Sequence, residues 1–105
     1  MININVEFLN NNITIIQVSG HANYANKGFD IVCSAVSAIT IGGINALLNA
    51  NKTIDYSIKD GLTIIKTKLT DLETQTILKT LLIQFESIEN SYGNYLKITK
   101  KYGGA

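Results

Sequence analysis

The 105-residue chain carries one histidine, His21, and one cysteine, Cys33. No other side chain in it is so readily a base or a soft nucleophile near neutral pH. The two stand in a defined setting: Gly20-His21-Ala22, a polar loop, then Asp30-Ile31-Val32-Cys33-Ser34-Ala35-Val36-Ser37. If Asp30 caps a helix, Cys33 lies in its first turn, where unpaired amides and the helix dipole favour negative charge. A thiolate is stabilised there, and the thiolate is the attacking species in acyl transfer. His21, at the end of a strand, can be aimed as a base across the loop towards the helix start. First-turn amides, that of Cys33 included, are candidate donors to an oxyanion.

The same residues also have plainer readings. A lone cysteine in a small domain is more often a buried hydrophobe, and a histidine after a strand is more often a surface residue. Asp30 serves as an N-cap whether or not there is chemistry. Ser37, one turn beyond Cys33, can simply bond back to a helix carbonyl. From the residues alone, a catalytic pair and an inert pair both remain open.

The surrounding pattern shows what must position this pair. Ile2, Ile4, Val6 and Phe8 alternate with polar residues, as a half-buried strand requires. Asn10-Asn11-Asn12 offers a hairpin turn, and Ile13–Ser19 returns towards Gly20. A helix is predicted from Ile31 to about Asn49, apolar around most of its circumference. Its Gly42-Gly43 pair predicts close approach of another backbone. Ile54, Tyr56 and Ile58 alternate, Asp60-Gly61 signals a type I′ turn, and Leu62–Thr67 returns. Thr70 to Glu73 matches a capping box opening a helix with Ile77, Leu78, Leu81, Phe85 and Ile88 on one face. Tyr95–Thr99 reads as a last strand. The expected fold is α+β: one layered domain over residues 1–99, elements in the order ββαββαβ, a mostly antiparallel sheet packed with two helices. Residues 100–105 read as a flexible tail.

Composition narrows the function classes. Nine lysines, no arginine and eight acids leave a net charge of +1, and the lysines are scattered, which argues against direct nucleic-acid binding. One cysteine cannot form an internal disulfide, and one cysteine with one histidine is too few for a zinc site, so no metal or cofactor is expected. The amino terminus has neither a basic n-region nor an unbroken apolar run, so it resembles no secretory signal. The stretch Ile31–Leu48, interrupted by polar residues, reads as too polar to span a bilayer. A cytoplasmic protein without membrane contact is the expectation.

The paired pattern Gly20-His21-Ala22 and Gly28-Phe29-Asp30-Ile31-Val32-Cys33-Ser34-Ala35-Val36-Ser37 resembles the signature of the ribosomal processing cysteine protease (Prp) family. The order and spacing of the two blocks match it, and the element order fits nearly the whole chain. Ser34 stands where alanine is usual, a small-for-small change. The resemblance implies a cytoplasmic bacterial cysteine endopeptidase, homodimeric, which removes an N-terminal extension from a large-subunit ribosomal protein, number twenty-seven in the bacterial series. It makes Cys33 the nucleophile and His21 the base and acid, through a thioester intermediate, with Gly20, Asp30 and Ser37 in supporting roles. The loop of Ala22, Asn23, Tyr24, Asn26, Gly28 and Phe29 is the candidate substrate lid, Tyr24 and Phe29 offering apolar contact. The competing expectation is a non-catalytic, ribosome-associated peptide-binding module using the same groove.

Overall fold

The structure is a computed structural model that describes residues 1–26 and 29–104. Its elements are β1 (Ile2–Leu9), β2 (Asn12–Gly20), α1 (Ile31–Asn49), β3 (Asp55–Lys59), β4 (Leu62–Lys66), α2 (Leu72–Tyr92) and β5 (Leu96–Gly103). They build a five-stranded sheet in the order β3-β4-β2-β1-β5. All neighbours pair antiparallel except β1 and β5, which run parallel. The α+β expectation of a mostly antiparallel sheet with two helices holds.

Period-two patterning places Ile2, Ile4 and Val6 in the core. In β2, Ile13 and Ile16 are both buried although their spacing of three would put them on opposite faces. A bulge reconciles them: Glu7 pairs with Ile15 and Phe8 with Ile13, leaving Thr14 as the extra residue. Above this face lie Val32, Val36, Ile44 and Leu47 of α1 and Leu78, Leu81, Leu82 and Phe85 of α2, joined with the strand residues in one apolar cluster. Gln75 stitches the layers together. Its Oε1 accepts from the Ile13 N–H at 2.7 Å, and its Nε2 donates to the Ile13 and Leu69 carbonyls, both at 2.9 Å.

One local expectation holds and several others need correction. The β1–β2 turn is the doubly left-handed one, with Asn10 at φ 50° and Asn11 at φ 66°. At Asp60-Gly61 only Gly61 is left-handed (φ 74°), so this turn is not type I′. The α2 N-cap is Asp71, not Thr70: its carboxylate accepts from the Thr74 N–H at 3.1 Å and also meets Lys52 at 3.0 Å. Lys52 bridges Glu73 as well, at 3.0 Å, which ties the end of α1 to the start of α2. At Gly43 the close neighbour is the Leu81 side chain of α2 and not a backbone, while Gly42 faces open space. The expected tail is largely strand: β5 continues past Thr99 and pairs Lys100 to Gly103 with Val6 to Leu9. The parallel ladder satisfies backbone groups there, which alternation in the sequence did not reveal. By length and composition α1 is apolar enough to cross a membrane, contrary to the reading of Ile31–Leu48 as too polar. In the fold, Val32, Val36, Ile44 and Leu47 spend that apolarity on the core.

Candidate active site

The strand carrying His21 ends on a residue that has to be glycine. Gly20 sits at φ 86°, and a Cβ there would collide with the Met1 carbonyl oxygen. Its N–H donates to the Gly61 carbonyl at 2.9 Å, tying the end of β2 to the β3–β4 turn. His21 follows, exposed, with its imidazole against the α-carbon face of Gly61. Ala22 then turns inward and is buried in the core, 3% exposed, so the chain on one side of His21 is anchored.

Asp30 organises the next stretch as well as the helix. It adopts extended geometry (φ −82°, ψ 98°) as the N-cap of α1. Its Oδ1 accepts from the Cys33 N–H at 3.0 Å and its Oδ2 from the Tyr24 N–H at 3.1 Å. Its own carbonyl accepts from the Ser34 N–H at 3.1 Å. The Cys33 amide bond, foremost, and that of Tyr24 hold the Asp30 carboxyl below its ordinary range, against the upward pull of its burial. Cys33 lies in the first turn of α1, half-buried, and its Sγ accepts from the Ala22 N–H at 3.4 Å.

These elements enclose a cleft of about 460 Å³ between α1 and the β3–β4 hairpin. His21 and Cys33 both line it, as do Gly20, Asp30, Ser34 and Ser37. Ile41 on one wall and Ile58 and Leu62 on the other are all partly exposed, so an apolar chain segment can lie between them. The structure thus gathers the histidine, the cysteine and all three supporting residues named from the sequence.

The loop residues divide. Asn23 lines the cleft at φ 55°. Tyr24 packs edge-on against Tyr92 and Tyr95, with centroids at 5.7 and 5.0 Å. Asn26 accepts through its carbonyl from the Phe29 N–H at 2.9 Å, and Phe29 is 78% exposed. Gly28 lies outside the described residues. The Cys33 N–H, an expected oxyanion donor, is occupied by Asp30, whereas the Ala22 N–H already faces the sulfur. Sequence reasoning missed the opposite wall, Ile58 to Thr63; the Asp60-Gly61 pair announced a turn without saying what it packs on.

A thiol in a capped first turn, a histidine in the same cleft and an amide on the sulfur suit thiol-dependent acyl transfer. Comparison with known proteins agrees: the sequence profile described as cysteine protease Prp matches residues 1–97. The chain belongs to the Prp family. It is 31% identical to the ribosomal processing cysteine protease Prp of Staphylococcus aureus over 93 residues, 85% of this chain and 88% of that protein. It is 34% identical over 84 residues to the Prp of Mycoplasma genitalium, 78% of this chain and 83% of the relative. The crystal structure of S. aureus Prp with a covalently linked product peptide superposes with a TM-score of 0.92 at 28% identity, covering 96% of this chain and all of that one. This Prp family member is accordingly a cysteine protease, and the non-catalytic reading is set aside.

Proposed function

We propose that this protease removes the N-terminal extension of a bacterial large-subunit ribosomal protein, number twenty-seven in the series, using Cys33 and His21 as a dyad. The observation that carries the reading is the meeting of His21 and Cys33 in one cleft, with the Ala22 N–H on Sγ. The names of the relatives as ribosomal processing proteases support the substrate class.

In this mechanism the Cys33 thiolate attacks the scissile carbonyl carbon and forms a tetrahedral adduct. The C–N bond breaks as His21 delivers a proton to the departing amine. The shortened ribosomal protein leaves, and its former extension stays on sulfur as a thioester. Water then attacks the thioester carbon, His21 takes the proton, and the C–S bond breaks to release the extension as a carboxylate. Asp30 holds the helix start and Tyr24 in register, so its part is positional. No cofactor enters the cycle.

The proposed setting is the cytoplasm, and the proposed assembly is a homodimer. Incubation with the extended ribosomal protein, read by intact mass, tests the function: a single N-terminal cut supports it, and an uncut substrate refutes it.

A further inference from the structure

We infer that Gly61, at the tip of the β3–β4 turn, is a positioning residue that seats the His21 imidazole for the proton transfers of the proposed cycle. The inference rests on the dyad reading above but comes from a different element. Gly61 makes two links to the histidine segment. Its carbonyl accepts from the Gly20 N–H at 2.9 Å, fixing the residue before His21. Its bare α-carbon also forms the surface under the ring. A Cβ at position 61 would stand 3.2 Å from Nε2, 3.8 Å from Cε1 and 3.9 Å from Cδ2 of His21. The first distance is too short for ordinary packing, so the ring would have to give by a few tenths of an ångström.

Backbone conformation alone does not explain the glycine. Gly61 is left-handed at φ 74°, but so are Asn10, Asn11, Asn23 and Asn51, at 50° to 66°. Asparagine tolerates that region because its short polar side chain bonds locally. Among the described residues asparagine takes the left-handed region at four places and glycine at three, and at position 61 a side chain would press on the imidazole. A misplaced catalytic group loses about a hundredfold in rate per ångström, so a shift of a few tenths of an ångström costs several-fold. The space at Gly61 is thus a requirement of the site as well as of the turn.

The test uses Gly61→Asn, which suits the left-handed backbone but adds a Cβ, alongside Gly61→Ala. Kinetics are measured on the extended ribosomal protein. The single histidine gives one assignable Cε1–H NMR signal, which reads ring placement without any turnover. Gly61→Asn is expected to lower kcat by about three- to tenfold with KM within about threefold, and to shift the His21 signal. A shifted signal in a protein whose wild type cuts no ribosomal substrate would uphold the seating of His21 while refuting the proposed function. An unmoved His21 signal in Gly61→Asn overturns the inference, whether kcat falls or not. So does a kcat within twofold of wild type for an active enzyme.

Discussion

The Ala22 backbone N–H donates to the Cys33 sulfur across 3.4 Å, so the residue beside the site histidine directly contacts the site thiol. Ala22 is held by the core, and the Cys33 amide is held by Asp30. Two rigid attachments, one at the end of β2 and one at the start of α1, therefore fix the sulfur from both sides. The negative charge that returns to the sulfur when the thioester C–S bond breaks meets an oriented dipole that needs no rearrangement.

Cys33→Ala and His21→Ala should each reduce cleavage by about a thousandfold or more, because the members of the proposed dyad would act as a unit. Neither side chain belongs to the fully buried core, so thermal melts should stay near wild type. Cleavage at an undiminished rate by a folded His21→Ala variant would remove the histidine from the mechanism.

Asp30 performs two tasks that substitutions can separate. Asp30→Ala loses both the helix cap and the tie to Tyr24, and should lower both melting temperature and kcat/KM. Asp30→Asn keeps one side-chain oxygen for the cap but cannot accept both amides with two oxygens. It should melt closer to wild type than Asp30→Ala while still turning over slowly. Equal melting of the two variants would show that the cap does not act as described.

How much of this was legible beforehand follows from the range of the interactions. Alternation in β1, the cap at Asp30 and the apolar face of α2 are local patterns, readable within a few residues. The histidine and cysteine blocks were readable because each lies at the end of one such element. The Thr14 bulge was not, since it exists only in the pairing of β2 with β1. Local pattern ends the last strand at Thr99 because Lys100-Lys101-Tyr102 lacks alternation, and only the parallel pairing with β1 extends it to Gly103. The role of Gly61 was hidden for the same reason: its neighbour is forty positions away in the chain. The packing of Tyr24 on Tyr92 and Tyr95 was hidden too, because no local pattern pairs residues so far apart in the chain.

The adjacent glycines of α1 should respond with opposite signs. Gly42 faces open space, so Gly42→Ala should stabilise by about 0.5–1 kcal/mol through lost chain entropy. A methyl at Gly43 falls on the buried Leu81 side chain, and Gly43→Ala should cost about 1–3 kcal/mol through overpacking. Chemical denaturation of both variants decides the matter; equal shifts would contradict the described contact between α1 and α2.

Acid should loosen both helix starts. Hydrogen bonds from Thr74, then Lys52, pull the Asp71 carboxyl down to about 2, and Asp30 is likewise lowered by the amides it binds. Both groups bind protons less readily folded than unfolded. The stability they lend is therefore complete above the unfolded carboxylate value of about 3.9 and is lost as pH falls through the folded one. Melting temperature should fall between about pH 4 and pH 2, and less steeply in Asp71→Asn. An identical slope in that variant would exclude the cap as a source of acid sensitivity.

The central claim is that Cys33 carries the acyl group between two chemical steps. Acid-quenched intact-mass analysis during turnover of the extended ribosomal protein tests it most directly. The wild-type enzyme should show a transient adduct equal to the cleaved extension less one water, mapped to Cys33, while Cys33→Ala shows neither adduct nor product. Product formed at the wild-type rate by Cys33→Ala, or an adduct on any other residue, would contradict it.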